Sequence, residues 1–197
     1  MTGATAAPSA RRAELLDAAY REVLTHGLAD MSLRPLAAAI GSSPRVLLFL
    51  FGSKDALVRA LLTRAREDEL ALLHRLRTDT TGAASLGEVT RTVWDWLADP
   101  AHRPLLVLWA EAYTRSLVDP DGPWAGFARD TVAEWLAVLA TAQPARVRRT
   151  AAGRAECTLT LAVLRGALLD LLATGDTART TAAVHRHATG VNRLTAP

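Results

Sequence analysis

The chain has 197 residues and a net charge of +3; 50% of its residues are hydrophobic and 22% charged. These numbers suit a soluble globular protein with a real core, built as one compact unit or as a small domain joined to a larger one. They exclude a disulfide scaffold: Cys157 is the only cysteine, so neither an internal disulfide nor a cysteine-based zinc site is available, and the cytoplasm is the expected compartment.

Residues 1–12 are small and polar and lack the apolar run of a secretory signal, and 1–8 is expected as a flexible tail. A first helix is expected over 9–25, where Leu15, Leu16, Ala19, Val23 and Leu24 recur at helical spacing and Gly27 supplies a stop. Ser32 is a good N-cap for a second, short helix. Pro35 falls in its first turn, Leu36, Ala37 and Ile40 form its inner face, and Gly41 ends it. Ser42 and Ser43 follow, then Pro44 at a first helical position. The run from Val46 to Phe51 is wholly apolar, and taken alone it is consistent with a buried strand or a helix.

Ser53 caps a long helix over 54–77, with Asp55 placed to favour its N-terminal dipole and Leu57, Leu61, Leu62, Leu70 and Leu73 as its apolar stripe. Further helices are expected over 86–99, 104–118, 124–141, 146–173 and 177–191, separated by turn-rich breaks. No strand-like alternation persists, so the fold class is all-α. The most apolar stretch, 159–172, is interrupted by Arg165 and Asp170 and falls short of the ~20 apolar residues of a membrane span. No membrane partner is expected.

Charge is unevenly placed. Residues 1–66 hold nine bases against five acids, or +4, which leaves −1 for the rest. A modest basic excess near the N-terminus favours a polyanionic partner there. Other signals are bland. His185 and His187 are two apart, so on a helix they point to different sides and make a poor metal pair. The acidic run 67–69 reads as a solvated face, and Cys157 as a small buried residue. No phosphate loop, nucleophile elbow or zinc-protease motif is present. Catalytic residues, a metal and a cofactor are therefore not expected, and neither is enzymatic activity.

Residues 32–51 read as one unit: a short helix, the turn Gly41-Ser42-Ser43, and a second short helix, which is the helix-turn-helix pattern. The surrounding stretch, 11–62, resembles the DNA-binding region of the TetR family. Leu15-Leu16-Asp17-Ala18-Ala19 matches its first helix and Gly27 the glycine after it. Ser32-Leu33-Arg34 with Leu36-Ala37 matches the second helix, and Gly41-Ser42-Ser43 the turn. Leu47, Phe51, Ser53, Lys54, Ala56 and Leu57 match the third helix and the start of the fourth.

The resemblance implies an N-terminal three-helix helix-turn-helix domain over 9–53 and a C-terminal helical ligand-binding and dimerisation domain over 54–197. It makes 46–51 part of a recognition helix whose N-terminal end enters the major groove. Ser43, Pro44, Arg45 and Val46 are then expected near base edges or phosphates, with Arg45 the best candidate to read a guanine. Lys54 matches a phosphate-contacting position, and Ser32 and Arg34 are further phosphate candidates. The sequence departs from the family at Leu48, Phe49 and Leu50, where tyrosine and often histidine stand. Leu48 and Phe49 either touch thymine methyls or extend the small domain's core.

The resemblance further implies a repressor that binds a palindromic operator as a homodimer and is released by a small apolar or aromatic effector. The alternative it leaves open is a ligand-binding helical dimer whose DNA binding is weakened or lost. The dimer interface would come from the helices over 146–173 and 177–191. Leu161, Leu164, Leu168, Leu169 and Leu172 offer apolar area there, and Gly166 and Ala167 allow close approach. All five tryptophans lie between 94 and 135. Trp94, Trp109, Tyr113, Trp124 and Phe127 are therefore expected to line an apolar pocket, or else to serve as core. Glu111 and Arg115, with Asp95 and Thr114, would supply its polar groups. The fourth helix would carry a ligand-induced shift to the recognition helices.

Overall fold

The computed structural model describes residues 8–27, 31–79 and 85–195; the expected tail at 1–8 lies outside them except for Pro8, as does most of the break at 80–85. Every regular element among the described residues is helical. In chain order they are α1 Pro8–His26, α2 Leu33–Ala39, α3 Pro44–Phe51, α4 Lys54–Asp79, α5 Leu86–Ala98, α6 Arg103–Val118, α7 Phe127–Thr141, α8 Ala145–Arg148, α9 Ala151–Thr174 and α10 Thr177–Thr195, with a 3-10 turn at Pro100–His102.

The helices form two compact units that interleave along the chain. One comprises Met1–Asp68 with Val107–Ala128, the other Glu69–Leu106 with Arg129–Pro197. The expected boundary at 53/54 divides the chain by function; these units divide it by packing, and α4, α6 and α7 each contribute to both.

In the first unit, α1 buries Leu15, Ala19, Tyr20 and Val23, α2 buries Leu36 and Ala37, α3 buries Leu47 and Phe51, and α4 buries Leu57, Val58 and Leu61. Within α1, α3 and α4 the buried positions return every three or four residues, and in the short α2 they are the adjacent pair Leu36 and Ala37, so one stripe of each helix faces the core. A polar clamp joins α1 to α4. The Tyr20 hydroxyl donates to Asp68 Oδ2 at 2.9 Å. Arg64 pairs with the same Asp68 and, at 3.5 Å, with Asp17. Its guanidinium also lies 5.2 Å from the Tyr20 ring centre. Burial, and then the bond to Asp68, push the Tyr20 hydroxyl's pKa well above its ordinary value.

The second unit packs α10 against α5 and α9. A capping box starts α5: the Ser85 amide donates to Glu88 Oε2 at 2.7 Å, and the Glu88 amide donates to Ser85 Oγ at 3.3 Å. Val93, Trp94, Leu97, Leu161, Leu164, Leu168, Val184, Ala188 and Val191 are buried between the three helices. Two polar pairs stitch them. The Trp94 indole N–H donates to Thr181 Oγ1 at 2.8 Å, and Thr160 meets His187 Nε2 at 3.0 Å.

The structure corrects the expected elements in three places. The helix expected over 146–173 is two helices, because Thr150 caps α9 by accepting a hydrogen bond from the Gly153 amide at 3.0 Å. Gly153 sits so close to the end of α8 that a Cβ there would lie 2.1 Å from the Val147 carbonyl oxygen. The helix expected from Trp124 begins at Phe127, since the preceding residues turn and Gly126 has φ 78°. The 3-10 turn fills the break after α5, with Asp99 Oδ1 accepting from the Ala101 amide at 2.8 Å. Finally, α9 runs for 24 residues, beyond the 159–172 stretch read from sequence, and reaches a mean hydropathy of 1.6. Among the described residues it is the one single helix long and apolar enough to cross a membrane, yet its buried face packs on α5 and α10.

Candidate functional site

The turn between α2 and α3 is built by local chemistry. Gly41, at φ 63°, takes the left-handed position that ends α2. The Ser42 amide donates to the Ala37 carbonyl at 2.8 Å and the Gly41 amide to the Ala38 carbonyl at 3.2 Å, which is the Schellman arrangement. Ser43 then caps α3, its Oγ accepting from the Val46 amide at 3.3 Å, and Pro44 occupies the first turn. The two helices meet at 101°, within the range of helix-turn-helix pairs.

The apolar run 46–51 is thus helical. Leu47 and Phe51, four apart, turn inward and are 1% and 7% exposed. At about 100° per residue, position 49 falls on the far side of the helix from 47. That periodicity rules out one of the two alternatives for Leu48 and Phe49, that they extend the core: they are 41% and 82% exposed, and Val46 is 38% exposed. Arg45 is exposed beside them, while Ser43 and Pro44 are half-buried.

Lys54 is the exposed first residue of α4, where Ser53 Oγ accepts from the Ala56 amide at 3.0 Å. Ser32 and Arg34 are exposed at the start of α2. Ser32 holds the N-cap position, but its hydroxyl makes no cap bond. Between 31 and 54 the chain carries Arg34, Arg45 and Lys54 and no acid. This stretch therefore offers exposed cations, amides at a helix start and an apolar strip, which are groups suited to gripping a polyanion and touching what lies between its charges. Arg12, which sequence reasoning passes over, places its guanidinium 4.8 Å from the Phe51 ring centre and ties α1 to the base of α3.

The residues expected to bind a ligand do not all fall in one unit. Trp109, Glu111, Tyr113 and Arg115 lie on α6, Trp124 in the following turn, and Phe127 at the start of α7, all in the first unit. Trp109 and Tyr113 stack obliquely at 5.2 Å, and Arg66 lies 5.9 Å from the Phe127 ring centre. The Ala128 amide donates to Ser116 Oγ at 3.1 Å, fixing the start of α7 to α6. Glu111 is half-buried, whereas Thr114 and Arg115 are exposed. Trp94 belongs to the second unit, where its fully buried ring and its bond to Thr181 serve the core; Asp95 beside it is exposed. Among the described residues, no three His, Cys, Asp or Glu side chains gather as a metal site.

Residues 15–61 match the family model of the bacterial regulatory proteins, tetR family. No curated protein matches the chain. Among solved structures, a transcriptional regulator from Rhodococcus sp. Rha1 is 18% identical, with a TM-score of 0.76 over 94% of this chain and 99% of that one. A TetR transcription regulator from Haloarcula marismortui is also 18% identical, with a TM-score of 0.71 over 94% and 98%. The multidrug binding protein EbrR, solved with proflavin, is 25% identical, with a TM-score of 0.63 over 90% and 99%.

Proposed function

With a TetR-family helix-turn-helix over residues 15–61 and the fold of TetR-family regulators over nine-tenths of its length as premises, we propose that this protein is a transcriptional repressor that binds a palindromic operator as a homodimer. The observation that carries this reading is the face of α3. It is capped by Ser43 with Pro44 in its first turn, it exposes Arg45, and along the chain it lies between the exposed cations Arg34 and Lys54 with no acid between 31 and 54. Arg45 would read a guanine edge; Lys54, Arg34 and Ser32 would hold phosphates.

Dimerisation would use α9. One stripe of that helix is core, but Ala155, Leu159, Ala162, Gly166, Leu169 and Ala173 recur on its other side and are exposed, Leu159 and Leu169 by 52% each. Small residues between two leucines let a second copy of the helix approach closely. A twofold dimer would set two α3 helices about one DNA turn, ~34 Å, apart.

The effector would be a small apolar or aromatic molecule held by Trp109, Tyr113, Trp124 and Phe127, with Glu111 as a polar anchor. EbrR, which is solved with imidazole and with proflavin, supports that ligand class. Such a ligand releases DNA only to the extent that it binds the DNA-free form better.

The test is selection of duplexes from a random pool by the full-length protein, followed by gel retardation. A two-half-site consensus bound at nanomolar to micromolar concentration is expected. Failure to retard any duplex at low salt would sink the repressor reading and favour the alternative of a helical ligand-binding dimer, for which the missing polar groups at Leu48, Phe49 and Leu50 speak.

A further inference from the structure

Phe49 is the most exposed large apolar side chain among the described residues, at 82%. A single exposed ring needs no explanation by itself. This ring, however, lies four residues after Arg45, so the two side chains are neighbours on one helix face. Val46 and Leu48 flank it, and the surrounding stretch holds three cations and no acid. An exposed ring beside Arg45, in a stretch with two further exposed cations, suits a surface that is anionic at its rims and apolar at its floor. The major groove of duplex DNA has that character, with phosphates along both edges and the C5 methyl of thymine projecting from the floor.

We infer that Phe49 is a specificity-determining residue that reads thymine by packing its ring on the C5 methyl group in each half-site, beside a guanine read by Arg45. The inference rests on the DNA-binding reading above and adds what the apolar strip is for. Four residues advance the helix by about 6 Å, close to two base-pair steps of about 3.4 Å. The guanine and the thymine therefore fall about two steps apart. Phe49 has no hydrogen-bonding group, so it senses the methyl and nothing else of the base.

The experiment compares the selected duplex with the same duplex carrying deoxyuridine in place of that thymine. The exchange removes one methyl per site and leaves base pairing and every hydrogen-bonding edge unchanged. The full-length protein is expected to bind the uracil duplex about four- to tenfold more weakly per methyl removed. Phe49→Ala is expected to bind both duplexes equally. Its melting temperature should match wild type, because the ring leaves no core contact behind. Equal binding of the two duplexes by wild type would overturn the inference, as would a Phe49→Ala protein that keeps the preference. A third overturning result is a changed oligomeric state of DNA-free Phe49→Ala with unchanged DNA binding, which would make the ring a protein contact. These outcomes leave the DNA-binding reading standing. A selection that recovers no duplex defeats that reading and this inference together.

Discussion

At the scale of single residues, the two cations of the proposed interface, Arg45 and Lys54, are expected to divide the work. Arg45 is exposed on the helix face, and Lys54 sits at the first turn of α4. Arg45→Ala is expected to cost about 1–3 kcal/mol on the preferred operator and little on random DNA. Lys54→Ala is expected to weaken all sequences alike and to lower the slope of log affinity against log salt by about one. Titrations of both variants at several salt concentrations check the division, and identical profiles would refute it. Away from DNA, Tyr20 makes a prediction for stability. Its hydroxyl pKa is raised by burial and by Asp68, so the folded state holds a proton that the unfolded state loses above about pH 10. The stabilisation is fully present below that pH and is lost as pH rises through the folded pKa. Tyr20→Phe is expected to cost about 1–2 kcal/mol at pH 7 and to flatten the alkaline fall in denaturation midpoint. An unchanged alkaline limb would place the loss elsewhere.

At the scale of elements, the ends of α2 and α3 were written in local chemistry and the face of α3 was not, although the apolar stripes of α1 and α4 were. Gly41 ends α2 and Pro44 opens α3 as expected, and Ser43, for which no backbone role was read from the sequence, caps α3. The run 46–51 is apolar at every position, so it has no period from which a side could be chosen. Packing of Leu47 and Phe51 decides it, and turns Phe49 outward. The clamp of Tyr20, Arg64 and Asp68 joins residues 48 apart, beyond any local pattern, although the Arg64–Asp68 spacing of four hinted at a pair. The break between α8 and α9 was hidden because Thr150 and Gly153 are unremarkable in an alanine- and arginine-rich stretch. Its signal is spatial: the Gln143 side-chain amide donates to the Gly153 carbonyl at 2.9 Å, and the Val147 carbonyl occupies the space a Cβ needs. Gly153→Ala is therefore expected to destabilise the second unit by about 1–3 kcal/mol, against the usual gain of alanine in a helix. Chemical denaturation measures it, and a neutral or stabilising result would mean that α8 yields freely. The placement of Trp94 was equally illegible: five tryptophans close in sequence suggest one aromatic cluster, but the chain leaves the first unit at 68 and returns at 107, carrying Trp94 into another core.

For the whole molecule, that interleaving means neither unit is a contiguous stretch of chain, while the helix-turn-helix itself is contiguous and so was the part most open to sequence reasoning. Assembly is the next level. If α9 is the dimer face, Leu159→Glu with Leu169→Glu should shift sedimentation from dimer to monomer and weaken operator binding steeply at low protein concentration, leaving helix content unchanged. A double variant that sediments as wild type would move the interface to another surface. The exposed strip of Val46, Leu48 and Phe49 has one more consequence, in temperature. Drying an apolar face on DNA lowers the heat capacity of the complex. Specific binding should then grow more exothermic on warming, and its affinity should pass through a maximum within the accessible range. Calorimetry at three or four temperatures would trace the curve, and Phe49→Ala is expected to reduce its curvature, with Val46 and Leu48 keeping the rest.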